Sequence, residues 1–222
     1  MKNRIKWSLV TCMLVAVGLM NGCGGGNDTY NTVKTTTAPV AVTPNVADGS
    51  ATTTSVATVK APADAPAAVA NVEVVVPAAT IITAKDTTGK TVPLTAPTFT
   101  FQAPDNATAT SAGTTSVPVP TGFNSLDSTS VAIDVQITGA ASSEFSKPIT
   151  IKLPAPGKAN GSVVNKVYKN KNDGKGNILV GGPYTVVNGE ISFEVSDLCW
   201  FIGDPVYKTI TGTTGSGGSD VK

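Results

Sequence analysis

Histidine is missing from all 222 residues, and beyond position 22 the chain also lacks arginine and methionine, because Arg4, Met1, Met13 and Met20 all precede it. These absences remove the commonest general base and metal ligand, together with the side chain that best clamps a carboxylate or phosphate through two parallel hydrogen bonds. Aromatic residues make up 5 % of the chain. With several of them at core positions, few remain for a sugar-stacking platform. Apolar periodicity near 3.6 residues is absent after the first 22 positions, so almost no helix is expected.

What is present begins with an address. Lys2, Arg4 and Lys6 form a basic head, and Trp7 to Met20 is an uncharged, mostly apolar run of 14 residues ending in small residues at a cysteine. This is the pattern of a secretory signal peptide. The run is shorter than the roughly 20 residues needed to cross a bilayer core. The stretch Leu19-Met20-Asn21-Gly22-Cys23 resembles the lipobox of bacterial lipoproteins, with Met20 at the place that family usually fills with Leu. The resemblance implies that residues 1–22 are removed and that the Cys23 thiol carries a diacylglycerol. Gly24, where an Asp would mark inner-membrane retention, implies the outer membrane, facing the periplasm or the cell exterior. Cys12 is then discarded and Cys23 is alkylated, so only Cys199 keeps a thiol and no intramolecular disulfide is expected.

The remaining 200 residues suit one domain and an unstructured remainder. Their 13 lysines against 15 Asp and Glu leave a net charge of −2, which gives no basis for nucleic-acid binding. Residues 23–69, rich in Gly, Thr, Ala, Pro and Val and without Leu, Ile or Phe, are expected to be a disordered tether reaching about 35–40 Å. A domain is expected over 70–206, and a flexible Gly/Ser/Thr tail over 207–222.

Within 70–206, short alternating runs are separated by Gly, Pro, Asn and Asp. Val131, Ile133, Val135 and Ile137 alternate with Ala132, Asp134 and Gln136; Ile149, Ile151 and Leu153 follow Pro148; Ile191, Phe193 and Val195 alternate with Ser192 and Glu194. With weaker runs near 72–76, 80–84, 99–102, 163–168, 178–180, 184–187 and 198–202, about ten strands predict an all-β, two-sheet, immunoglobulin-like sandwich.

Ala132-Ile133-Asp134-Val135-Gln136-Ile137 followed by Phe145-Ser146-Lys147-Pro148-Ile149-Thr150-Ile151-Lys152-Leu153-Pro154, together with Gly189-Glu190-Ile191-Ser192-Phe193 and Val72 to Thr80, resembles phrases of the β-sandwich module of zonula-occludens scaffolds, netrin receptors and ankyrins. In that module a residue that is usually Gly stands where this chain has Ala79. The resemblance implies assembly between proteins, with the membrane and an envelope protein as partners. In some relatives a closing His-Phe-Ser is a self-cleavage site; here Asp197-Leu198-Cys199 occupies it, and with no histidine to assist the thiol, cleavage is not expected.

Candidate chemistry is sparse, and no enzyme, cofactor or metal site is expected. Asp134, Glu144, Asp173, Glu190, Glu194 and Asp197 are the acids a hydrolase acting on an envelope polymer would draw on. Asp134 and Glu194 fall on the wet faces of their strands. A carbohydrate-binding sandwich is the other alternative to an interaction module. The run Asn170 to Asn177 fails the calcium-loop register and reads as a hairpin turn. Lys158, Lys166, Lys169, Lys171 and Lys175 make it the one charge cluster, interrupted only by Asp173. Gatekeeping of a solvated hairpin explains the lysines; Lys166, Tyr168, Lys169, Lys171 and Lys175 are the residues expected at a partner contact, should the hairpin make one.

Overall fold

The structure, a computed structural model, describes residues 32–104, 123–126, 131–171, 177–204 and 207–209. The signal segment and Cys23 lie outside them. With strands numbered in chain order, one sheet contains β1 (Thr32–Thr36), β7 (Phe99–Pro104), β9 (Val131–Ile137), β16 (Trp200–Gly203), β12 (Val167–Asn170) and β13 (Ile178–Gly181), side by side in that order. A second runs β2 (Val42–Pro44), β3 (Ala51–Thr53), β6 (Ile81–Lys85), β10 (Ser142–Pro154), β5 (Glu73–Val76), β4 (Ala57–Lys60), with β15 (Glu190–Asp197) also on β10. Two small ribbons join β11 (Val163–Val164) to β14 (Tyr184–Thr185) and β8 (Phe123–Leu126) to β17 (Tyr207–Thr209). Every pairing is antiparallel, and the described residues contain no helix. The chain is all-β, as its alternation predicts.

The longest strand organises the second sheet. β5 and β6 pair end to end along one side of β10, and β15 pairs along the other. The register shifts between Glu144 and Ile149, where Pro148, lacking an N–H, sits in the one part of the strand with no ladder partner. Side chains close that gap: Lys147 Nζ donates to the Ala78 carbonyl at 2.7 Å, and Ser146 Oγ accepts the Ile81 N–H at 2.9 Å. Between β5 and β6 the chain turns at Ala79, whose φ of 53° lies in the left-handed region that favours glycine. Ile149, Ile151 and Leu153 on β10 and Ile191, Phe193 and Val195 on β15 are buried, while Ser192 and Glu194 are exposed. The inner faces of both sheets share one hydrophobic cluster. Phe193 of β15 and Phe201 of β16 meet across it, ring centroids 5.3 Å apart.

Two boundaries move. Where a tether is expected, residues 32–60 form four strands, with β1 on β7, β3 on β6 and β4 on β5. Val40, Ala51, Val59 and Val69 enter the core. Composition misleads there because Val and Thr are strand formers, and small side chains suffice when a neighbouring strand supplies the hydrogen bonds. The prolines are placed compatibly. Pro44 ends the outer strand β2, and the Pro62 and Pro66 carbonyls accept turn bonds from Ala65 and Val69. At the other end, Tyr207–Thr209 of the expected tail pairs with β8, itself a strand that periodicity does not reveal.

Candidate functional site

The lysine hairpin takes shape from its two strands. β12 and β13 pair antiparallel, Lys169 opposite Ile178 and Tyr168 opposite Leu179, so the Asn-Asp-Gly segment joins them. Residues 172–176, with Asp173 and Lys175, lie outside the described residues. On its inner side β12 pairs with β16, which places Lys169 across from Phe201 and half-buried Tyr168 across from Ile202.

Lys169 and Lys171 converge on one carboxylate. Lys169 Nζ lies 2.7 Å from Asp197 Oδ1, and Lys171 Nζ lies 2.6 Å from Oδ2. Asp197 ends β15, so this triad ties the hairpin of the first sheet to the hub of the second. Burial opposes the Asp197 charge, but the two lysine hydrogen bonds outweigh it and hold the carboxyl below its ordinary value. Lys171 is raised by the same hydrogen bond. At the far end of β12, Asp204 accepts from Lys158 Nζ at 2.8 Å and from the Lys166 backbone N–H at 3.0 Å. The Lys166 side chain is exposed, and among the described residues no ion pair engages it.

The structure brings together two of the six singled-out acids. Glu144 on β10 stands directly across from Asp197 on β15. Asp197 is held ionised by its lysines, so it is poorly suited to donating a proton. Glu194 is exposed on its strand. No group of three or more Cys, Asp and Glu able to hold a metal is found among the described residues.

Asp134 departs from expectation. Instead of facing water it is buried, 5 % exposed, between Gln102 of β7 and Trp200 of β16. The alternation of β9 is real, but Trp200 and Ile202 stand beside Asp134 and Ala132 on the same face and are buried with them. Gln136 Nε2 donates to Asp134 Oδ2 at 2.8 Å, while Oδ1 has no hydrogen-bond partner among the described residues. Burial pushes this carboxyl up to about 7.

Cys199 is a core residue. Its thiol is pushed up to about 12, first by burial and then by the Asp197 charge, and it points toward the Trp200 carbonyl at 3.4 Å. A thiol in that state supplies almost no nucleophilic thiolate at neutral pH.

Comparison with protein-family models, curated proteins and solved structures finds no match for this chain.

The lysine triad and the Asp204 corner were not legible in the sequence. Lys169 and Asp197 are 28 positions apart and meet only because β12 and β15 belong to facing sheets.

Proposed function

We propose that the mature protein is a lipid-anchored envelope protein whose β-sandwich serves as a structural or protein-interaction module at the outer membrane of a bacterial cell. The observation that carries this reading is a short span: only eight residues separate Cys23 from the first described strand, which starts at Thr32. Fully extended, that span reaches about 30 Å. A lipidated Cys23 therefore holds a folded body close to the bilayer rather than at the end of a long coil. Diacylglycerol with an added acyl chain exceeds the two hydrophobic signals needed for stable anchoring.

Two further observations support the module reading. Of the phrases that resemble the assembly module, three fall on β5, β10 and β15, adjacent strands of one sheet, and Ala132–Ile137 falls on β9 of the other. Ala79, at the place where that module usually has Gly, adopts the left-handed φ that such a glycine would serve. Of the candidate acids, Asp197 is engaged structurally by two lysines, and Asp204 nearby is engaged in the same way by Lys158 and a backbone N–H.

Replacing Cys23 by Ser tests the anchor. Labelling with an alkyne fatty acid and recovery in the membrane fraction should both be lost, and normal processing with membrane retention would overturn the proposal. Proximity labelling in the envelope tests the module. Specific protein neighbours are expected, and saturable turnover of an envelope polymer by the purified protein would instead establish a hydrolase.

A further inference from the structure

Gatekeeping lysines protect a sheet by sitting on its outermost strand. In this hairpin they do not. Lys169 is on β12, with Lys166 and Lys171 flanking it, one strand in from the edge. The outer strand β13, Ile178-Leu179-Val180-Gly181, carries no charge at all. Ile178 shares a face with Lys169 and Leu179 shares the opposite face with Tyr168, and the two are 40 % and 55 % exposed. Both sides of the strand thus present an apolar side chain to solvent.

Among the described strands β13 has one neighbour, β12. Backbone groups that alternate along its other edge therefore point outward, ready for a further strand. The other outermost strands are guarded. β1 bears exposed Lys34, β2 is three residues long and ends in Pro44, β4 carries Lys60, which is paired with Glu73 at 2.8 Å, and β15 bears exposed Glu194.

From this contrast we propose that the outer edge of β13 receives an extended acidic segment of a partner protein as an added strand. The proposal rests on the interaction-module reading and names its surface. Backbone hydrogen bonds would supply the pairing, and Ile178 and Leu179 would pack against alternate side chains on the two faces. Charge selects the occupant. Asp197, with Glu144 directly across from it, balances Lys169 and Lys171, and exposed Lys166, which no ion pair engages among the described residues, leaves one positive charge in excess. A second copy of this chain would bring the same lysines to the contact, whereas an acidic strand is attracted and its rim contacts are screened by salt.

The test uses the full mature chain and synthetic nonapeptides with a Val/Thr alternating centre, measured by fluorescence polarisation. A Glu-flanked peptide should bind, and its affinity should fall at least tenfold between 50 and 500 mM salt, on the order expected for screened charges. Lys flanks, or N-methylation of alternate amides, should each weaken binding about tenfold or more, the scale of one or two lost backbone hydrogen bonds. Leu179→Lys should abolish binding with an unchanged thermal midpoint. The proposal is overturned by absence of binding at millimolar peptide, by equal binding to Leu179→Lys, by indifference to N-methylation, or by a wild-type dimer in sedimentation that Leu179→Lys dissociates. Proximity labelling separates this failure from that of the module reading. Unchanged specific neighbours for Leu179→Lys would remove the edge alone, and no specific neighbours for the wild type would remove both.

Discussion

Asp134 in the middle of the six-stranded sheet and Asp197 where the two sheets meet are buried to nearly the same degree, 5 % and 7 % exposed. Their carboxyls nevertheless move in opposite directions. Burial raises both, but at Asp197 two lysine ammonium groups within 2.7 Å more than reverse it. At Asp134 the only described hydrogen-bond partner is the neutral amide of Gln136, and the carboxyl rises to about 7. Depth in a protein therefore does not fix a charge state; the partners that the topology brings alongside decide it.

The largest expected effect lies at Asp134. Its folded-state value exceeds the unfolded one, so ionising it weakens the fold: the penalty is absent below about pH 4, grows through pH 4 to 7 and is complete above. Asp134→Asn should raise stability at pH 8 by about 2–4 kcal/mol and change it little at pH 4, as read by chemical denaturation. Equal effects at both pH values would show that Asp134 is ionised throughout.

The lysines give the opposite test. Asp197 stays ionised to lower pH in the folded protein, so its contribution is present above about pH 4 and is lost as the pH falls through its depressed folded value. Replacing Lys169 and Lys171 together by Met should cost about 2 kcal/mol at pH 7 and remove this acid limb, because the carboxylate is left buried without a counter-charge. A variant that kept the limb would break the comparison, since Asp197 would then owe its state to something other than the two ammonium groups.

The smallest effect concerns Cys199, which feels the Asp197 charge after burial. In the folded protein at pH 8 its alkylation by iodoacetamide should be at least 100-fold slower than in denaturant, given a thiol near 12. Asp197→Asn should speed it only slightly. Intact mass should show one polypeptide from residue 23 to 222, without a fragment beginning at Cys199.

The all-β class and the strands around Val131–Ile137, Ile149–Leu153 and Ile191–Val195 are legible in the sequence because alternation of bulky aliphatic residues is a local signal that burial of one face imposes. The pairing of β12 with β13 is legible too, since Asn-Asp-Gly between them is a local turn signal in the sequence. Residues 32–60 are not, because Thr, Val and Ala strands acquire their partners from β5, β6 and β7, 64 positions away for Thr36 with Thr100 and 72 for Thr32 with Pro104. Which side of β9 is wet was likewise settled only when Trp200 and Ile202 came to lie beside Asp134 and Ala132. The meeting of Lys169 and Lys171 with Asp197, and the exposure of an uncharged outer strand, follow from strand order alone. Sequence sets the period of each strand through its own side chains; neighbours, and with them charge states and exposed edges, exist only once the sheets assemble.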